Sequence, residues 1–161
     1  WKLNEPAAFP CSTCMFTVDN SFLVPEEPLQ VDYEDSFRLR GYTVTPERIR
    51  VDQSFEFLLF WELLSPLEET IHVFVHVLDH DGNLVAQDDH QLLVDLNFYP
   101  DADFPSGTLV RGMHEFSALP AGRYDIHVGL YRWEDQQRLM TWSTGGTDPE
   151  HYLKLTELDV K

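Results

Sequence analysis

The stretch Thr70 to Asp89, TIHVFVHVLDHDGNLVAQDD, restricts the fold more than any other part of this chain. Val73, Val75 and Val77 alternate with Phe74, His76 and Leu78. A period of two sorts side chains onto the two faces of a strand, whereas a helix needs a spacing of three and four. Asp81-Gly82 then supplies a tight turn, because glycine accepts the positive φ that a hairpin loop demands. Leu84 to Gln87 follows as the returning strand. The stretch therefore predicts a hairpin in a β protein, and it carries no evident catalytic group.

From Ser36 onward the same logic repeats at the spacing of a sandwich. Strands are expected at Phe37–Val44, ended by Thr45-Pro46, and at Ser54–Leu64. In the second, Phe55, Phe57, Leu59, Trp61 and Leu63 share one face while Leu58 and Phe60 add apolar bulk to the other, which predicts a central strand. Further strands are expected at Leu109–Ser117, Tyr124–Trp133, Arg138–Trp142 and Tyr152–Val160, making about eight. Tyr124 opens its strand after the turn Leu119-Pro120-Ala121-Gly122, a place where a tyrosine hydroxyl anchors on nearby backbone in immunoglobulin-like sandwiches. Val94 to Thr108, with Pro100, Pro105 and Gly107, reads as a long surface loop. No segment has the caps and periodicity of a helix.

Residues 1–35 differ. Pro6, Pro10, Pro25 and Pro28 each remove a backbone donor and restrain the preceding residue, so this part reads as an extended, irregular arm with one short strand near Met15 to Val18. The expected organisation is thus a proline-rich arm, 1–35, and one antiparallel, immunoglobulin-like β-sandwich, 36–161; a chain of 161 residues suits one such domain. Because the sequence opens at Trp1 and not Met, a processed product or fragment is expected, with a leader or anchor upstream.

Charge narrows the partners. With 28 acidic residues against 11 basic ones, the net charge of −17 repels nucleic-acid phosphates and anionic membrane surfaces. No nucleic-acid partner is expected, and any membrane association is peripheral. The acidity is read as a solubility device of a surface-facing protein rather than as a cation site.

The chemistry-bearing patterns are few. Cys11 and Cys14, in Cys-Ser-Thr-Cys, lack the histidine that haem attachment requires and lack a second pair to complete a zinc site. A small disulfide is the leading reading, ahead of free thiols and of metal or redox chemistry. His72 and His76 share a strand face but lie about 13 Å apart at strand rise, too far to chelate one ion together. His76 is instead expected in a cross-strand polar network with Gln87 and Asp89. Asp79, Asp81 and Asn83 begin like a calcium loop, but the twelfth position is His90 and the flanks are strands, so the segment reads as a hairpin turn first, with adventitious calcium on Asp88, Asp89, Asp95, Asp101 and Asp103 as the weaker alternative. No nucleophile elbow, zinc-protease motif or phosphate loop occurs, so no enzyme activity, metal or cofactor is expected. Trp133, Trp142, Tyr99 and Phe98 lie near loops and can form a platform on which sugar rings stack, or can seal the core instead.

The ordered series Phe37-Arg38-Leu39-Arg40-Gly41-Tyr42, Phe60-Trp61, Val73 to Leu78 with Asp81-Gly82, Val85-Ala86-Gln87 with Asp89, Pro120 to Tyr124, Val128-Gly129-Leu130-Tyr131 and Arg138-Leu139 resembles an extracytoplasmic β-sandwich domain of Chloroflexota-type bacterial envelope proteins. In that family the domain often lies C-terminal to membrane proteins resembling glycosyltransferases. The resemblance spans about residues 29 to 161, with one departure: the loop before Gly107 has no tryptophan near Pro105. It implies a non-catalytic interaction or structural module in a cell-envelope or surface assembly, with protein partners. The alternative is a carbohydrate-binding module or an accessory domain of a glycosyltransferase-like enzyme.

Overall fold

The computed structural model describes residues 14–15, 24–93, 96–98, 100–141 and 150–161. Its strands are β1 (Cys14–Met15), β2 (Glu27–Tyr33), β3 (Phe37–Thr45), β4 (Phe55–Leu63), β5 (Ile71–Leu78), β6 (Leu84–Gln91), β7 (Leu109–Phe116), β8 (Gly122–Arg132) and β9 (Leu153–Val160). They form two antiparallel sheets, one of five strands in the order β1-β7-β4-β3-β2 and one of four in the order β6-β5-β8-β9. Among the described residues there is no helix. The fold is the all-β, immunoglobulin-like sandwich that the alternation predicts.

The core lies between the sheets and is built by the period-two pattern. Phe55, Phe57, Leu59, Trp61 and Leu63 of the central β4 face Val73, Val75 and Val77 of β5 and Tyr124, Ile126, Val128 and Leu130 of β8, all of them buried. Burying one such side chain contributes about 1.5–3 kcal/mol, which is why a register slip of one residue, exposing the whole row, is excluded. Phe55 stacks on Phe116 at 5.2 Å, and Phe57 meets Phe116 edge-on at 6.2 Å. Tyr124 Oη donates to the Pro120 carbonyl at 2.9 Å, tying the strand start to the turn before it.

Two glycines are required by contact. Gly41 sits at the β3 bulge with φ +148°, where a Cβ would fall 2.5 Å from the Glu27 carbonyl oxygen and from Pro25. At Gly129 a Cβ would lie 2.2 Å from Phe74 Cζ, so the missing side chain is what lets the Phe74 ring lie flat on the outer face of the four-stranded sheet. In the hairpin Gly82 has φ +80°, and the Asp79 carboxylate closes the turn by accepting from the amides of Asp81 and Asn83 at 2.9 and 2.8 Å. The Asn83 side-chain carboxamide, which donates to the same carboxylate at 3.0 Å, and then these backbone bonds hold the Asp79 carboxyl below its ordinary range.

The structure departs from the sequence reading in three places. Glu27–Tyr33, within the stretch read as arm, is β2, an edge strand with a bulge between Pro28 and Val31. Edge strands tolerate proline because one row of their backbone groups has no ladder partner, so Pro28 broke the pattern without breaking the strand. The β6 strand runs four residues beyond Gln87, to Gln91. Arg138–Trp142 was expected as a strand, but its described part, 138–141, is a connector held by isolated bridges: Arg138 to Tyr131, and Thr141 to both Tyr33 and Glu150. Its partners come from different elements, so no continuous ladder can form.

Candidate functional site

The residues that the core does not consume gather on the outer face of the four-stranded sheet. Alternation sends His72, Phe74 and His76 of β5 outward, and β8 brings His127, Gly129 and Tyr131 beside them, with His76 opposite His127 and Phe74 opposite Gly129. On the other side β6 places Gln87 opposite His76 and Asp89 opposite Phe74. Tyr131 Oη donates to both carboxylate oxygens of Asp89, at 2.9 and 3.1 Å. His72 Nδ1 lies 3.3 Å from Asp89 Oδ1 and 3.2 Å from Tyr131 Oη. Burial and this carboxylate together push the Tyr131 phenol up to about 12, so it stays a donor at any physiological pH.

Flat surfaces adjoin these polar groups. The indole of Trp133, 45% exposed, stacks on the His72 ring with centroids 4.5 Å apart and planes 16° from parallel. The Arg138 guanidinium carbon lies 4.6 Å above the Phe74 ring, and His76 packs against that ring at 4.6 Å. Phe74, His76, Asp89, Tyr131, Gln136 and Arg138 line an open cavity of about 220 Å³. Partial burial lowers the His76 pKa, with the Arg138 charge adding to it, and burial does the same to His127. Beside the cavity Tyr152 stacks on His127 at 4.4 Å.

The structure brings some of the sequence-derived candidates together. His76 and Asp89 line one cavity, and Gln87 is the exposed cross-strand neighbour of His76, but the hydrogen bonds of Asp89 go to Tyr131 and His72. Trp133 lies at the edge of the same face, while Phe98 is 79% exposed on the loop whose Leu96 amide donates to Thr70 Oγ1. Cys11, Asp95, Tyr99, Trp142 and the Cys14 side chain lie outside the described residues. Tyr131 and Arg138 are not among the sequence-based site candidates, and His72 enters there only as a rejected metal ligand, although the outward alternation of β5 places it on this face. Arg138 gave no sequence signal, because it reaches Phe74 only when the chain folds back after β8.

No protein-family model matches the chain. A search of curated proteins finds no match either. Among solved structures, the chain is similar to the crystal structure of the C-terminal domain of Wzt, with TM-score 0.54 and 12% identity over 89% of this chain and 85% of that one. It also matches the CARDB domain of a Pyrococcus furiosus protein, with TM-score 0.44 and 10% identity over 89% of this chain and 99% of that one. At such identity the first likeness shows the fold alone: the chain is a β-sandwich of the kind seen in the C-terminal domain of Wzt.

Proposed function

We propose that this protein is a non-catalytic extracytoplasmic recognition module of a bacterial cell-envelope assembly, and that the outer face of its four-stranded sheet binds glycan. One observation carries this reading. An exposed indole, held rigid by stacking on His72, stands beside a cavity lined with a carboxylate, a guanidinium, an imidazole and a carboxamide. A sugar ring offers an apolar C–H face and a rim of hydroxyls that both donate and accept. Trp133 suits the face, while Asp89, Arg138, His76 and Gln136 suit the rim. His76 and Asp89 sit on strands shared with the core, whereas Trp133, Gln136 and Arg138 come from the turn and connector that follow β8.

The envelope setting rests on the sequence resemblance and on the net charge of −17, which suits a protein that must not adhere to anionic surfaces. Protein partners of a larger assembly remain the other class of ligand for the same face. Bacterial polysaccharides on an array, probed with the full chain, separate the two. Binding is expected, lost on Trp133→Ala and weakened at least tenfold on Arg138→Ala, with circular dichroism unchanged. An array left blank by folded protein overturns the glycan reading and leaves the protein-interaction module.

A further inference from the structure

A second cluster lies away from that face, where the two sheets meet along one flank. The added length of β6 turns Asp88 and His90 toward the sandwich interior, on the same face as Ala86. Opposite them β7 points Val110, Gly112, His114 and Phe116 inward. His114 Nδ1 lies 2.9 Å from Asp88 Oδ2, and His90 Nε2 lies 3.6 Å from the same oxygen. The two imidazoles stack at 4.2 Å. An edge strand of one sheet thus faces a strand of the other through two histidines and a carboxylate, and among the described residues His114 is the only buried histidine or carboxylate side chain.

Two features set this cluster apart from an ordinary satisfied histidine. The His114 side chain is fully buried, yet its Nε2 has no hydrogen-bond partner. Leaving a buried polar atom unpaired costs about 1–3 kcal/mol, so such atoms are rare without a reason. That nitrogen lies on the Gly112 side of the cluster, 3.7 Å from where a Cβ would stand, with His90 Cε1 3.8 Å from the same point, so both rings border Gly112 at ordinary contact distance. In addition, one ligand atom from each of Asp88, His90 and His114 lies within 4.8 Å of the others. Bonds of about 2.0–2.2 Å to a tetrahedral ion place ligand atoms roughly 3.3–3.6 Å apart, a spacing reached when the stacked rings turn out of parallel and His90 Nε2 gives up the Met113 carbonyl that it faces at 3.0 Å.

We infer that Asp88, His90 and His114 form a binding site for a divalent transition-metal ion of the zinc class, which pins the edge strand β6 to the opposite sheet. Two imidazoles and a carboxylate are a borderline donor set that suits zinc and its neighbours and disfavours magnesium and calcium, which take oxygen. Asp88 and His90 keep 32% and 20% of their side chains exposed, so an ion has an entry path and a fourth position open to water or an exogenous ligand. This inference does not depend on the glycan reading, because the two sites lie on different surfaces and share no residue.

The test uses chelator-treated full chain with Cys11→Ser and Cys14→Ser, which removes the other metal-binding side chains of softest character. Zinc titrated by calorimetry is expected to bind once per chain and to raise Tm, with magnesium and calcium doing neither. Cobalt(II) in its place is expected to give the intense visible bands of a four-coordinate ion. Asp88→Asn and His90→Ala, both at partly exposed positions that tolerate change, each weaken zinc at least tenfold and bleach the cobalt bands, whereas exposed His80→Ala leaves both unchanged. Two results overturn the site: no zinc binding at micromolar concentration, or binding that survives Asp88→Asn and His90→Ala. Either would leave the cluster a hydrogen-bonded histidine pair.

Discussion

The two flanks of the sandwich are closed by opposite means. Where β2 meets the four-stranded sheet, Tyr33 reaches across the core, fully buried, to donate to the Val128 carbonyl at 2.9 Å, and packs edge-on against Trp61 at 5.4 Å. Thr141 Oγ1 donates to the Asp32 carbonyl, and Arg132 spans Glu69 and Glu34 at 2.9 and 2.8 Å. That flank is held by apolar burial and by paired polar groups, although the indole nitrogen of Trp61 beside Tyr33 is itself buried without a hydrogen-bond partner. At the β6/β7 flank, Asp88, His90 and His114 take the place of aliphatic side chains, and one buried nitrogen has no partner. Stability concentrates on the first flank and chemistry on the second, as expected where a fold gives up packing at a site.

The comparison can be broken by mutation, starting with the largest effect. Tyr33→Ala is expected to cost about 3–5 kcal/mol in urea unfolding, and Tyr33→Phe only about 1, because the ring contributes more than its single hydrogen bond. Equal losses would mean that the bond, not the packing, closes this flank. Gly129→Ala is expected to cost about 1–3 kcal/mol, since Phe74 must leave its seat and Arg138 with it. A fluorescence-monitored Tm that did not fall would show that the ring moves freely. Arg132→Ala should remove about 1–2 kcal/mol, more than an exposed ion pair, because its two carboxylates join separate loops.

At the polar flank the metal-free double variant Asp88→Val/His114→Leu is expected to lie within about 1 kcal/mol of the native chain, since replacing both partners of a buried polar pair leaves nothing unsatisfied. A loss as large as that of Tyr33→Ala would abolish the contrast between the flanks. The smallest effect is with pH, on the outer face. Burial lowers the pKa values of His76 and His127, so the neutral rings are favoured by folding. The stability they contribute is present above the ordinary histidine value of about 6.5 and is lost as pH falls from there toward their lowered folded values. Chemical denaturation at pH 7 and pH 5 should show this loss, and His76→Gln with His127→Gln should reduce it, with buried His114, whose pKa burial also lowers, supplying the remainder; an unchanged slope would assign the loss to other groups.

Much of this architecture was legible because alternation is a local property. β4, β5 and β8 each announced the row that faces inward, and the register then followed from matching apolar rows. The hydroxyl anchor of Tyr124 was legible for the same reason, since its carbonyl partner is only four residues away. Strand ends were harder. β6 turns polar after Gln87, and Asp88-Asp89-His90-Gln91 has no apolar residue to reveal which face is inside. That is how Asp88 and His90 escaped notice as a pair with His114, which lies 26 residues from Asp88 in sequence. The ledge of His72, Tyr131 and Asp89 draws on three strands, and no window of sequence contains it.

The chain by itself determined an all-β fold, a central β4, the Asp79–Asn83 turn and an acidity that disfavours phosphate partners. These follow from side-chain period, turn chemistry and charge, which act between near neighbours or on the whole chain at once. Tertiary structure alone decided that Pro28 lies in an edge strand, that Arg138 caps Phe74, and that a carboxylate and two imidazoles meet across two sheets. Such meetings depend on how strands pair and sheets stack, and pairing is set by the burial of every apolar row together rather than by any residue that later carries chemistry.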